Sequence, residues 1–251
     1  MLVDLGWQSL EERLQHYPMT ESKTGAQVID LLTKRVIALG AVHSGQFIVD
    51  CETYTSVPSL GPQRAVHVLH NSEQPASVFS LLETAGTSQG ANNVGGASGA
   101  VTGQSPGKII PLVADALFDL LMMKMTNIYK SKTQTKVEAR GPRFVFGGNG
   151  MGGFGSNSPA VEGDFLVKLG TITMASNFKG VLIEVEYRPC VIPSACWDMM
   201  REFLQGFLGS CVPSSPPQYL QGKMNDVYTP MDTIHQYLEQ FTAYRKATGV
   251  R

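Results

Sequence analysis

The chain has 251 residues, 43% of them hydrophobic and 16% charged, with a formal net charge of −1. That composition is enough to build a core in one large or two small domains, and it excludes wholesale disorder. It also supplies no global field to draw in nucleic acid, so any such binding would rest on a local patch.

From the amino terminus, Trp7, Leu10 and Leu14 follow helical spacing until Pro18, although residues 1–21 read as an atypical and mobile leading segment. A helix is predicted over Thr24–Leu39, capped by Ser22 or Thr24 and stopped by Gly40, with Val28, Leu32, Val36 and Leu39 as its stripe. Gln46–Tyr54 alternates as a half-buried strand, and strands at Ala65–His70 and Ser77–Leu82 flank a turn at Asn71–Pro75. Residues 84–107 are almost wholly Gly, Ser, Ala, Asn, Thr and Gln, and read as a disordered insertion. A short strand near Ile109–Val113 precedes a helix opening at Asp115 and carrying Leu117, Leu121 and Met125, with a strand as the alternative.

Thr133–Arg140 alternates, and Phe144–Phe146 begins a further hairpin, interrupted by a second Gly-rich run at 147–163. Strands over Phe165–Met174 and Val181–Tyr187, with a turn at Asn177–Gly180, run into a helix from Pro193 to Gly209. The last helix spans Pro230 to about Ala247, with Thr229 as cap and Asp232 completing a capping-box-like pattern; residues 248–251 are a tail. The expected class is α+β: a mainly antiparallel β-barrel of about eight strands flanked by amphipathic helices, in one domain over residues 22–247.

Cys51, Cys190, Cys196 and Cys211 include no C-x-x-C pair and no His at zinc-ligand spacing, which points to a reducing interior. No membrane span or signal peptide is expected. Gly148–Gly153 satisfies G-x-G-x-x-G, but a strand follows it rather than the helix N-terminus a phosphate loop needs.

Glu184, Glu186 and Arg188 share one strand face, resembling the E-x-E-x-K strands of tunnel-type triphosphatases. Asp50 and Glu52 would supply a second acidic pair, and Lys132, Lys136 and Arg140 a basic strand. Convergence of these faces would allow metal-dependent phosphohydrolase chemistry; the plainer reading is cross-strand ion pairs on a solvated face. The run Lys130–Arg143 is interrupted by Glu138 and lacks an aromatic ladder, so direct nucleic-acid binding is not expected. His67 and His70 fall on opposite strand faces and cannot form a compact metal pair. Trp197, Met200, Leu204 and Phe207 read as core, as do Ile234 and Leu238. Six positions are candidates for partner contact, with coverage by the chain's own helices as the alternative: Ile172, Met174 and Leu182 on the hairpin, and Tyr237, Phe241 and Tyr244 on the last helix.

Several runs read together as one family: Asp50–Tyr54, His67–Glu73, Val167–Met174, Val185–Tyr187 with Cys190, Phe203–Gly209, and Tyr228–Thr233 leading into Gln236–Leu238. In this order they resemble the Mediator complex subunit 20 family, also called the TRF-proximal protein family. The resemblance implies a nuclear, non-catalytic adaptor of the Mediator head module without cofactors. It implies a β-barrel paired with that of Mediator subunit 18, attachment to the head through Mediator subunit 8, and indirect action on the RNA polymerase II machinery. The leading segment departs from the family, which begins with a short apolar strand.

Overall fold

The computed structural model describes residues 11–18, 23–84, 108–132, 135–146 and 163–247. Both Gly-rich runs, apart from Thr84 and Gly163, and the tail at 248–251 lie outside these residues, as does the Gly148–Gly153 motif. The Cα positions fall into two compact units: Met1–Asp50 with Val137–Arg251, and Cys51–Lys136.

The first unit is built on an antiparallel array in the order β1–β9–β8–β7, with the first part of β2 next. Here β1 is Glu11–Tyr17, β2 Val42–Ser56, β7 Val137–Phe146, β8 Phe165–Met174 and β9 Asn177–Tyr187. The leading segment is therefore not helical where it is described: β1 pairs residue by residue with β9, from Glu11 opposite Tyr187 to Tyr17 opposite Val181. Its helical spacing was misleading because only Leu14 of the apolar trio lies inside the strand. Sheet pairing overrides so weak a periodicity.

Helix α1, Gly25–Ala38, begins where the sequence predicts. Gln27 N donates to Thr24 Oγ1 (3.3 Å) while Thr24 N donates to Gln27 Oε1 (2.9 Å), which satisfies two otherwise orphan donors. Gly40, at φ +95°, lets the chain leave the helix in a conformation other residues resist. Val28, Leu32 and Val36 are buried, each side chain contributing about 1.5–3 kcal/mol. Leu39, predicted as part of that stripe, is exposed at the cap.

β7 corrects the sequence reading. Its two halves are one continuous strand, in one register with β8 from Val137 opposite Met174 to Phe146 opposite Phe165. Gly141 and Pro142 interrupt the apolar pattern without interrupting the strand. A Cβ on Gly141 would lie 1.9 Å from the Leu169 carbonyl oxygen, so the two backbones pass too closely for any side chain. The β8–β9 turn also falls earlier than predicted, at Ala175 and Ser176 (φ 47° and 66°), because this two-residue loop matches the strands' twist. Lys179 is left over in a bulge near Ile172 and Thr173.

One face of this array carries Phe144, Val167, Leu169, Val181, Ile183 and Val185, and packs with α1 and with α3, Pro193–Leu208. Phe203 of α3 stacks on Phe165 at 4.0 Å between centroids and meets Phe146 edge-on at 4.9 Å. A short helix α4, Gln218–Gln221, precedes the long α5, Pro230–Ala247. α5 packs against β1: its Gln236 side chain accepts a hydrogen bond from Leu14 N at 3.3 Å.

The second unit continues from β2 in the order β3 (Ala65–Asn71), β4 (Ser77–Glu83) and β5 (Ile109–Asp115), and β6 (Tyr129–Ser131) also pairs with β2. β6 was not foreseen, for three residues carry no period. Helix α2, Leu117–Lys124, is confirmed as a helix, with Asp115 Oδ1 accepting from Leu117 N. Of the predicted stripe only Met125 packs inward, beside Phe118 and the buried Met122, while Leu117 and Leu121 face solvent. Among the described residues no pairing closes the strand order. The expected eight-strand run is present and antiparallel with helices around it, but as an open sheet rather than a barrel.

Candidate functional site

The E-x-E strand is the sequence's strongest chemical signal, and the hairpin that carries it fixes where it points. Lys168 on β8 stands directly opposite Glu184 on β9, and the Lys168 ammonium donates to Glu184 Oε1 at 2.6 Å. Both side chains are almost fully buried, at 2% and 1% exposure. The second oxygen, Oε2, accepts from the Tyr237 hydroxyl of α5. Lys168 Nζ also lies 5.9 Å from the centre of the Phe47 ring. Glu184 is therefore committed at both oxygens, as a buried carboxylate must be.

Glu186, on the same face, is buried and takes a hydrogen bond from Arg188 Nε at 3.0 Å. Burial pushes its carboxyl above the usual range, against the pull of Lys168 and Arg188. Glu52 belongs to the second unit, where it takes Lys136 at 3.2 Å and the Tyr54 hydroxyl at 3.0 Å. Burial, reinforced by Glu52, pushes Tyr54 up to about 12. Among the described residues no three His, Cys, Asp or Glu side chains converge as a metal-ligand set. Chemically, the Lys168–Glu184–Tyr237 group holds two strands and a helix together, and a metal or attacking water would have to displace those partners.

The basic run is divided between the two units. Lys130 sits on β6, Lys136 is engaged by Glu52, and Arg143 on β7 donates to Ser44 Oγ at 3.1 Å. His67 and His70 separate as expected from alternation. His67 is buried between Thr53 (3.1 Å) and Glu83 (3.4 Å), and His70 meets Asp119 of α2 at 3.0 Å.

All six candidate contact residues are buried within the chain's own fold: Ile172, Met174 and Leu182 on the hairpin, Tyr237, Phe241 and Tyr244 on α5. Burial and a hydroxyl contact to the Val181 carbonyl at 3.4 Å account for Tyr244, whose phenol is pushed well above its ordinary value. At the start of α5, Asp232 gathers Lys223, the Tyr219 hydroxyl (2.7 Å), and both the backbone N and hydroxyl of Thr229 (2.7 and 2.6 Å). This clamps the α4 segment onto the helix.

The surface feature missed from sequence lies in the second unit. On β5, Ile109, Ile110, Leu112 and Val113 are exposed, so the strand presents apolar side chains on both faces. On α2, Leu117, Leu120, Leu121 and Met123 are exposed as well. The signal was available: Ile109–Met125 has too many apolar residues for one amphipathic stripe.

Three comparisons bear on this arrangement. A family model described as TATA-binding related factor (TRF) of subunit 20 of Mediator complex matches residues 13–242. The Aedes aegypti protein named Mediator of RNA polymerase II transcription subunit 20 is 54% identical over 244 residues, covering 94% of each chain. The Homo sapiens protein of the same name is 38% identical and covers 93% of each. Among solved structures, a putative adenylyl cyclase from Hippeastrum superposes with a TM-score of 0.40 at 9% identity, over 86% of this chain and 97% of that one. A likeness that distant carries no argument about activity.

Proposed function

The chain belongs to the Mediator subunit 20 family, and from that premise we propose that it is a non-catalytic adaptor of the Mediator head module in the nucleus. It is a Mediator subunit serving transcription; the finer reading is that it works through a stable one-to-one pairing with Mediator subunit 18, reaches the rest of the head through subunit 8, and acts on RNA polymerase II only indirectly.

One observation supports the adaptor reading above others: the chain's ionisable groups in the E-x-E strand are spent internally, while a broad apolar surface on β5 and α2 is left in water. Exposed apolar area on that scale marks a protein interface. An enzyme shows the reverse pattern, with reactive groups at a cleft and apolar groups within.

Co-expression with subunit 18 followed by size-exclusion chromatography tests the pairing. A single one-to-one peak is expected. A monodisperse free chain that ignores subunit 18 would overturn the heterodimer.

A further inference from the structure

The turn that leaves β9 and the helix it enters bring two thiols to one point. β9 ends at Tyr187 and α3 begins at Pro193, with Cys190 in the connection and Cys196 as the fourth residue of the helix. Cys190 Sγ lies 3.5 Å from the Ile192 carbonyl oxygen, and Cys196 Sγ lies 3.5 Å from the same atom. The two sulfurs are therefore no further apart than twice that distance. Both cysteines also act on Tyr187, whose phenol is pushed above its ordinary value by burial and then by Asp164, Cys196 and Cys190.

Apolar packing alone does not account for this arrangement. A cysteine that serves only as a small hydrophobe buries its sulfur among carbon. Cys196 is 3% exposed, yet its side chain points back along the helix to the Ile192 and Pro193 carbonyls, the direction helical side chains favour. Cys190 approaches from that same end. It is half-buried and sits two residues from Ile192, which is 37% exposed. Cys190 is thus the thiol that solvent reaches, and Cys196 is the one held back from it.

The remaining cysteines do not compete. Cys51 is fully buried in β2. Cys211 lies past the other end of α3, and the helix from Cys196 to Leu208 rises about 18 Å. A disulfide needs Cα atoms within about 7 Å of one another.

We propose that Cys190 and Cys196 form a redox pair that a hydroperoxide closes into a disulfide, stapling the exit of β9 to the start of α3. The Cys190 thiolate attacks one peroxide oxygen. An S–O bond forms, the O–O bond breaks, and the departing oxygen takes up the Cys190 proton to leave as water or an alcohol. The Cys196 thiolate then attacks the Cys190 sulfur. The S–S bond forms, the S–O bond breaks, and hydroxide leaves as water with the proton that Cys196 gave up. The two sulfurs lose two electrons and the peroxide gains them; a dithiol reductant reverses the closure by exchange. Residues 188–192 hold neither helix nor strand, so a side-chain rotation at Cys190 and a shift of this turn bring the sulfurs together.

The closed ring would enclose a stretch that seats the approach to α5. The Val191 carbonyl accepts from Tyr228 N, and Ser194 N donates to the Met224 carbonyl, each at 2.7 Å. Oxidation therefore stiffens the contact between the end of the hairpin and the segment leading into α5. The inference stands on this turn and not on the adaptor reading.

The test exposes the full chain to hydrogen peroxide, alkylates the remaining thiols and maps the peptides without reduction. One product is expected, lighter by two hydrogens, with Cys190 and Cys196 protected and Cys51 and Cys211 alkylated. It should exceed every other cysteine pairing at least tenfold, because the fold holds the second thiol beside the first. Hydrogen exchange at the Ser194 and Tyr228 amides should slow on oxidation and recover with dithiothreitol. Cys196→Ser should stop at the first step, leaving a Cys190 sulfenic acid that dimedone captures. Cys190→Ser, altered only in the turn, should leave Cys196 open to alkylation after the same exposure. A dimedone-labelled Cys190 in the unaltered chain, a link to Cys211 or to a second chain, or a pair that forms only in urea would each overturn the proposal. A disulfide that left both amides exchanging as before would overturn the staple.

Discussion

Tyr237 on α5 hydrogen-bonds Glu184 Oε2 while Lys168 holds Oε1, so a helix near the end of the chain completes the shell of a carboxylate buried inside the central hairpin. Removing one member leaves the others charged or polar without solvent. Lys168→Met should therefore cost about 3–5 kcal/mol, read as a lower urea midpoint. The triple change Lys168→Met, Glu184→Leu and Tyr237→Phe should recover most of that loss, because the whole polar group is replaced rather than broken. A triple variant as unstable as the single one would refute this account.

The Asp232 clamp makes stability depend on acid. Burial pushes this carboxyl up, but Lys223, Thr229 and Tyr219 outweigh it and hold it below its ordinary 3.8. On acidification the unfolded chain therefore takes up the proton first. The contribution is fully present above the unfolded value and disappears as pH falls through the folded one. Urea unfolding of the native chain and Asp232→Asn should thus differ at neutral pH by about 1–3 kcal/mol, and the difference should shrink as pH falls below 3.8 and through the folded value. A constant difference across that window would count against the clamp.

Gly141→Ala should destabilise by about 3 kcal/mol despite adding a single methyl, since the new Cβ meets the Leu169 carbonyl oxygen and the β7–β8 pair must move apart. Thermal unfolding measures it. A loss below about 0.5 kcal/mol would mean the two strands yield easily.

Two leucines separate core from docking surface. Leu32, fully buried on α1, should cost about 2–5 kcal/mol when changed to Ala. Leu117→Ala on α2 should move the free chain's Tm by no more than the scatter of surface substitutions. Differential scanning calorimetry on both variants, without partners, decides it.

Local rules were enough wherever a residue's neighbours in sequence are also its neighbours in space. The capping of α1 by Thr24 and Gln27, the stop at Gly40, α3 from Pro193, and the start of α5 at Thr229 and Asp232 all depend on groups within a turn of one another. The alternation of Phe165–Met174 and of Val181–Tyr187 likewise fixed which side chains share a face, including Glu184 with Glu186. The family resemblance was legible for a related reason, since its runs are contiguous in the chain.

Long-range pairing settled the rest. Sequence placed Glu184 on a face but could not say that the face is sealed, because Lys168 arrives across the hairpin and Tyr237 from another helix. It showed only the helical spacing of Trp7, Leu10 and Leu14 at the amino terminus, because sheet pairing with β9 leaves no local trace in β1. Nor could periodicity tell which side of α2 finds a core, since both sides are apolar and only contact with Val66, Val68 and Val78 breaks the tie. Dihedral and capping preferences are short-ranged and survive in the sequence, whereas burial depends on what the folded chain brings from far away.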